Sequence, residues 1–323
     1  MATAWTVTLP GIPAAAPAVD SETAYILLRE SRLAALALRD GTVAWSVPAA
    51  DVVAPPATAD GLVLLAHRQE VVALAARDGS ERWRVPIEGA IAAPLLSQGG
   101  WLLIVTEAGR ATMLRAATGE LLWTRSLGAD TRVQPVAAGR QVYLALRDGR
   151  VAALALETGR PLWEAKLPAE ATTLHPLGDR LFVGGSDRFF YCLSADRGKR
   201  KWRWRTGASI VGATAVDAVR VYFVSLDNVL RALGRTGGDQ RWKSPVPHRP
   251  TGGPFLIGRL LLVPGMSSEL PAFRLEDGKP AGIVKLAGEV PGTAVLLPGG
   301  ADRAARLLVI SGDGVAQLLE QVR

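Results

Sequence analysis

Residues 142–159 read VYLALRDGRVAALALETG, and Trp163 follows four positions after the closing glycine. An apolar run from Val142 meets Asp148-Gly149, and a second apolar run returns to Thr158-Gly159. Asp-Gly between β-rich runs is the strongest short hairpin signal, and in a two-residue loop both central residues take φ above zero. The same turn column recurs as Glu30-Ser31, Arg68-Gln69, Ala108-Gly109, Asp187-Arg188, Asp227-Asn228, Ser267-Ser268 and Asp313-Gly314.

A second column keeps the same phase. Seven of the nine tryptophans, Trp5, Trp45, Trp83, Trp123, Trp163, Trp202 and Trp242, are spaced by 40, 38, 40, 40, 39 and 40 residues. Six of them follow a glycine by four positions: Gly41, Gly79, Gly119, Gly159, Gly198 and Gly238. An eighth slot reads Gly278, then Gly282 where tryptophan would stand. Two columns with one period of about 40 residues define a repeat, the first feature to seek in any chain.

The run that begins at each tryptophan alternates. One position on stand Thr6, Ser46, Arg84, Thr124, Glu164, Arg203 and Lys243; two positions on stand Val7, Val47, Val85, Arg125, Ala165, Trp204 and Ser244. Period two with one wet face marks a half-buried antiparallel strand. Ahead of each hairpin a short strand of small residues is expected, with prolines at Pro17, Pro55, Pro94, Pro135, Pro176 and Pro254. Four strands per repeat is the plan of a propeller blade.

The ends fix the count at eight. The chain opens on a tryptophan strand with no hairpin before it. It closes with strands expected near Pro291–Leu297, Arg306–Ile310 and Val315–Val322, with no tryptophan strand after them. The expectation is one all-β domain over 1–323: an eight-bladed β-propeller of four-stranded antiparallel blades, closed by the N-terminal strand joining the last blade. Such closure removes exposed edges. Each registered tryptophan is expected to pack between blades. Burying an indole removes about 150–250 Å² from water, roughly 4–6 kcal/mol at about 25 cal/mol per Å², as an upper bound.

Of the 323 residues 49% are hydrophobic and 21% charged, so a large core can form. No run approaches the roughly 18 apolar residues of a membrane helix. Met1–Val7 lacks the basic-then-apolar pattern of a signal peptide, which leaves a cytoplasmic protein or a secreted one whose leader was replaced. Cys192 is the only cysteine, so no intrachain disulfide forms. A net charge of +7 suits acidic partners, yet the Ala-, Arg- and Gly-rich composition is also what a GC-rich genome encodes.

The repeat VGGSDRFFYCLSADRGKRKW, from Val183 to Trp202, and LALRDGRVAALALETGRPLW, from Leu144 to Trp163, resemble the PQQ-like β-propeller repeat. The resemblance covers essentially the whole chain and bears on fold more than function, since several activities share the repeat. One branch, the quinoprotein dehydrogenases, holds pyrroloquinoline quinone and calcium in the central channel. The other, the BamB-type outer-membrane assembly lipoproteins, is a propeller alone, and this chain looks more like it because it carries no large insertions.

The residues argue against the first branch. Calcium takes six to eight oxygen ligands, usually including carboxylates. The segments expected to line the channel are Ala14–Ala16, Ala54–Pro56, Ala92–Pro94, Val133–Pro135, Thr172-Thr173, Gly212–Thr214, Gly252-Gly253 and Gly292-Thr293, which offer no carboxylate, no basic residue and no tryptophan. Asp20, Asp60, Asp179 and Asp217 fall at the following turns, and a lone Cys192 forbids the adjacent-cysteine disulfide of that branch. His67, His175 and His248 lack metal-like spacing and read as rim residues, Cys192 as a small buried hydrophobe. No catalytic residue, cofactor or metal ligand is assigned.

The sharpest local feature is RGKRKWRWR, Arg197 to Arg205. Trp202 and Trp204 share the buried phase, so Arg203 and Arg205 face outward beside Lys199, Arg200 and Lys201, a candidate partner-binding set. Arg39, Arg77, Arg82, Arg160, Arg235 and Arg241 extend a basic face that could dock an acidic partner, lipid head groups or nucleic acid, though the plainer reading is an ordinary solvated rim. Nucleic acid is not expected, because buried tryptophans cannot stack on bases. A short insertion, LPGGADRAAR from Leu297 to Arg306, is a recognition loop or a plain bulge.

The expected function is a non-catalytic protein-interaction scaffold of the bacterial envelope. It would be monomeric, on the periplasmic face of the outer membrane through a lipid anchor missing from this chain, and partnered with an outer-membrane assembly barrel. A cytoplasmic location stays open. The alternatives are a ligand-sensing ectodomain of a larger receptor or kinase, and a quinone-dependent dehydrogenase.

Overall fold

In the computed structural model, which describes residues 1–288, 293–299 and 304–321, eight four-stranded antiparallel sheets form an eight-bladed β-propeller. From innermost to outermost strand, blades 1 to 7 run in chain order, starting with Ala18–Val19, Thr23–Leu28, Arg32–Ala37 and Val43–Pro48. Blade 8 takes Ala294–Leu297, Arg306–Ile310 and Val315–Glu320 from the C-terminal part and Ala2–Thr8 from the N-terminus. The closing pair runs from Ala2 opposite Glu320 to Thr8 opposite Val315.

The hydrophobic core is a ring of layers. Each layer joins one face of a blade to the facing side of the next, as alternation along the strands requires. Leu308 and Leu318 of blade 8 pack with Ile26 and Leu36 of blade 1. Leu307 and Leu319, the residues beside them, pack toward Leu262 and Leu270 of blade 7.

The Asp-Gly hairpins differ from the two-residue loop read from the sequence. At 146–150, Leu146 and Arg150 pair, Gly149 N–H donates to the Leu146 carbonyl at 2.9 Å, and Gly149 has φ 86°. Asp148 has no positive φ, so the loop has three residues: a turn followed by one left-handed position. Ser31, Gly109, Arg188, Asn228 and Gly314 repeat it, with φ between 54° and 87°.

The prolines shift the innermost strands. Because proline cannot donate to a ladder, these strands begin after Pro17, Pro56, Pro94, Pro135 and Pro254, and several segments expected to be channel strands are lead-ins. Pro176 is the exception, paired with Leu181 inside Ala171–Leu177. Gly292 and residues 300–303 of the expected insertion lie outside the described residues.

Every blade carries a β-bulge just before its tryptophan position. In blade 1, Trp45 pairs with Ala35 and Val43 with Leu36, leaving Ala44 unpaired. In blade 8, Trp5 pairs with Leu318 and Thr3 with Leu319, leaving Ala4. A bulge bends its strand and re-aims the next side chain. Here it turns each indole onto the following blade. Trp123 lies on Gly159 of blade 4, and its Nε1–H donates to the Leu156 carbonyl at 2.8 Å. A Cβ at Gly159 would stand 2.5 Å from the Trp123 ring, and φ there is 64°, so glycine is needed on both counts. Trp5, Trp45, Trp83, Trp163, Trp202 and Trp242 repeat the contact on Gly41, Gly79, Gly119, Gly198, Gly238 and Gly278.

Candidate functional site

The outermost strand of blade 5, Arg200–Arg205, rests on an aromatic base. Phe190 stacks on Phe223 of blade 6 with centroids 4.1 Å apart and also lies beside Trp202. Trp202 is buried and Trp204 half-buried, while Lys199, Arg200, Lys201, Arg203 and Arg205 are exposed. The bulge falls at Lys201, between Arg200 opposite Leu193 and Trp202 opposite Cys192. Arg203 lays its guanidinium over the Phe189 ring, 4.7 Å from the centroid, a cation–π contact. Tyr191 donates its hydroxyl to Asp187, and burial together with that carboxylate raises its pKa.

What separates this strand from the others is charge balance. In blade 2, Arg84 bridges Glu81 at 2.8 Å and also pairs with Glu70. In blade 4, Glu164 meets Arg150 at 2.9 Å. In blade 5, Lys199, Arg200, Lys201 and Arg205 form no ion pair with any described residue. Elsewhere on outermost strands, Arg82, Arg125, Lys166, Lys243 and Lys285 likewise form no ion pair among the described residues, but each stands singly and not in a run.

The wider basic face largely dissolves. Arg39 pairs with Asp40 at 2.9 Å, Arg77 with Asp78 at 3.0 Å and Arg241 with Asp239 at 3.0 Å. Arg197 pairs with Asp196 at 3.2 Å, and Arg235 donates to the Asp217 and Ala218 carbonyls. Arg160 is the remaining turn cation without a pair among the described residues. The blade 5 strand also lacks the proline that ends the outermost strands at Pro48, Pro86 and Pro245 or begins them at Pro161 and Pro280. Its unpaired backbone edge is therefore guarded by charge alone.

At the central channel, Arg132, Gln134, Glu170, Thr172, Gly212 and Ala213 help line a cavity of about 570 Å³. Arg132 and Glu170 lie in the connections between blades, just outside the segments expected to line the channel. Beside the cavity, blades 6 and 7 meet backbone to backbone: a Cβ on Gly253 would stand 1.6 Å from the Ala213 carbonyl oxygen. The strand Ile210–Val216 bulges there, three residues wide between the Val211–Val224 and Ala215–Tyr222 pairs.

These residues do not fit a calcium–quinone pair. Glu170 is the single carboxylate lining the cavity and lies 3.6 Å from Arg147. No indole lines the cavity, and no three His, Cys, Asp or Glu side chains gather anywhere among the described residues. Asp20 and Asp217 bind the backbone N–H groups of their own turns and the hydroxyls of Tyr25 and Tyr222. His175 lies half-buried in the innermost strand of blade 5, its pKa lowered by burial, and so is not at a rim. His248 lies 3.6 Å from Glu269. Cys192 is buried, which raises its thiol pKa despite Arg180 3.7 Å away.

Known proteins share both the repeat and the ring. A family model described as "Outer membrane protein assembly factor BamB" matches residues 67–177 and 147–317. The BamB of Burkholderia pseudomallei is 26% identical over 168 residues, 49% of this chain and 44% of that protein. The match to such curated relatives thus spans about half their length or less. The crystal structure of BamB from Moraxella catarrhalis superposes with a TM-score of 0.82 at 20% identity, over 99% of this chain and 97% of that one. The quinoprotein alcohol dehydrogenase PedE of Pseudomonas putida is 38% identical over 65 residues, 20% of this chain and 10% of that protein. With a matching model that runs from residue 67 to residue 317, well over half its length, the chain belongs to the family of the outer membrane protein assembly factor BamB.

Proposed function

We propose that this chain is a non-catalytic docking scaffold of the bacterial envelope that assists outer-membrane protein assembly, with residues 1–323 acting as one rigid domain. It works from the periplasmic face of the outer membrane as a monomer held by a lipid anchor outside this chain. Its partner is an outer-membrane assembly barrel.

The unpaired run Lys199, Arg200, Lys201, Arg203 and Arg205 carries the reading. Apart from Arg160, the arginines of the other turns are balanced by carboxylates or carbonyls, whereas this strand keeps its charge available on a stacked aromatic base. Charge of one sign on a rigid surface steers an acidic partner and fixes its register. The scaffold's mechanism is presentation: the blades hold the strand in place, so little ordering cost falls on binding.

The test is affinity purification of the tagged protein from detergent-solubilised membranes, with mass spectrometry of the proteins recovered alongside it. An assembly barrel should co-purify, and the combined Arg200→Glu, Lys201→Glu and Arg203→Glu variant should lose it about tenfold with the thermal midpoint nearly unmoved. A protein recovered soluble and alone, or a variant that keeps its partner, overturns the proposal.

A further inference from the structure

Seven of the eight blade interfaces close on an indole, and the row behind each indole is apolar. Across blade 1 the residues in line are Tyr25, Ala35 and Trp45; across blade 4, Tyr143, Ala153 and Trp163; across blade 3, Leu103, Met113 and Trp123. The acceptor on the next blade is also constant. It is the carbonyl of the residue after the third strand: Leu38, Ala76, Ala116, Leu156, Ala195, Arg235 or Leu275, at 2.8 to 3.1 Å from the indole nitrogen.

The interface between blades 7 and 8 keeps the row and the acceptor but has no indole. Its row is Leu262, Ala272 and Gly282. Gln321 holds the acceptor place: its N–H donates to Ala305 just as Leu38 donates to Glu22 and Leu275 to Arg259. A Cβ at Gly282 would meet no atom within 4 Å. Its φ of 132° is one that a tryptophan in this chain would rarely adopt. A cavity of about 320 Å³ shares Leu262 and Gln321 with this place and is completed by Met1, Ile257, Gly258, Arg259 and Leu260.

In the other seven interfaces, the turn between the third and outermost strands of the next blade floors the indole with its glycine. Blade 8 borrows its outermost strand from the N-terminal part of the chain, so no turn joins its third strand to its outermost one, and among the described residues no glycine floors this place.

We propose that this notch is a socket for a tryptophan side chain presented by a partner polypeptide. The chain itself specifies the occupant seven times: an apolar row behind the ring, and a backbone carbonyl that takes the indole N–H. Indole is a donor only, so one carbonyl satisfies it. Tyr25 and Tyr143 reach the acceptor carbonyls of Trp45 and Trp163 at 3.4 Å from the row position that Leu262 holds, so a hydroxyl there shares the carbonyl with the indole. The socket involves none of the blade 5 cations and stands apart from the docking strip.

The probe is the acetylated, amidated peptide Gly-Gly-Trp-Gly-Gly, titrated into the isotope-labelled full chain and followed by amide chemical shifts. Shifts should concentrate at Gly258–Leu262 and Gln321. A peptide carrying 1-methyltryptophan, which has lost the N–H, should bind about fivefold more weakly. Leu262→Tyr copies blade 4, where Trp163 still donates to the Ala195 carbonyl at 2.8 Å beside the Tyr143 hydroxyl, so this variant should keep the unmethylated peptide within about twofold. Shifts that map to another part of the ring, or equal binding of the methylated peptide, overturn the socket, and neither result depends on the variant folding.

Discussion

The interface between blades 3 and 4 and the one between blades 7 and 8 are cut from one pattern and finish differently. In the first, Trp123 covers Gly159 and donates to Leu156 at 2.8 Å. In the second, a Cβ at Gly282 would meet no atom within 4 Å, and Gln321 holds the matching place after the third strand. The difference does not lie in the buried layers. Leu262, Leu270, Leu307 and Leu319 pack across the seam as fully as Leu103, Met113, Leu144 and Leu154 do across the locked interface. What is absent is a turn. An indole lock needs the next blade to have its third and outermost strands joined in sequence, and a ring closed by a borrowed strand has one blade where they are not. Gly282, a degenerate copy when read from the repeat alone, is the residue left where there is nothing to cover.

If the lock is what distinguishes the two interfaces, Trp123→Ala should turn the first into the second. The expected loss is about 3 kcal/mol in urea unfolding, with the slope of the transition unchanged. A loss under about 1 kcal/mol would mean that the buried layers alone hold the blades. Gly159→Ala sharpens the point from the other side: its Cβ meets the Trp123 ring and takes a left-handed φ, for about 2 kcal/mol. Gly139→Ala is the matched control. It has a φ of 57° with open space around it, so backbone strain alone should cost about 1 kcal/mol.

A pH-dependent effect comes from a site in neither interface. Burial would raise the Asp227 carboxyl pKa, but bonds from Arg231, Ser225 and Gly207 N–H hold it at about 2. A depressed carboxylate contributes its stability above the ordinary value near 3.8 and loses it as pH falls through the folded value. Asp227→Asn should therefore cost about 1–2 kcal/mol at pH 6, with the gap to the parent chain closing between pH 4 and pH 2. A gap that is flat with pH would show that the cost is packing.

The repeat count, ring closure and tryptophan positions were legible because each is a constraint on side-chain identity. Only glycine fits under an indole at positive φ, so the column survives in the letters. The bulges were not legible. Ala4, Ala44, Arg82, Leu122, Leu162, Lys201, Arg241 and Ala281 share a backbone role and no side-chain chemistry. The hairpin loops are one residue longer than the letters suggest because the Asp-Gly pair serves both turn classes: Asp148 accepts the Arg150 N–H at 3.0 Å in the longer one. Of the basic face, the sequence showed the cations but the balance had to be read from space. A hint was present in Arg39-Asp40, Arg77-Asp78 and Asp196-Arg197, where each cation carries its own acid beside it. Arg132 and Glu170 leave no signal in the sequence because they sit in connections whose position depends on where proline lets the innermost strands begin.

The closing pair also sets a schedule for the nascent chain. Ala2–Thr8 is made first, and its ladder partner Val315–Glu320 is made roughly 300 residues later. At about 5–20 residues per second, the first strand waits on the order of 15–60 s for its place in a sheet. Throughout that interval the growing chain offers an unpaired β segment at one end and an unfinished blade at the other. Another copy on a neighbouring ribosome could supply the same Val315–Glu320 segment, so exchange of the N-terminal strand between two chains is the assembly error to which this topology is most open.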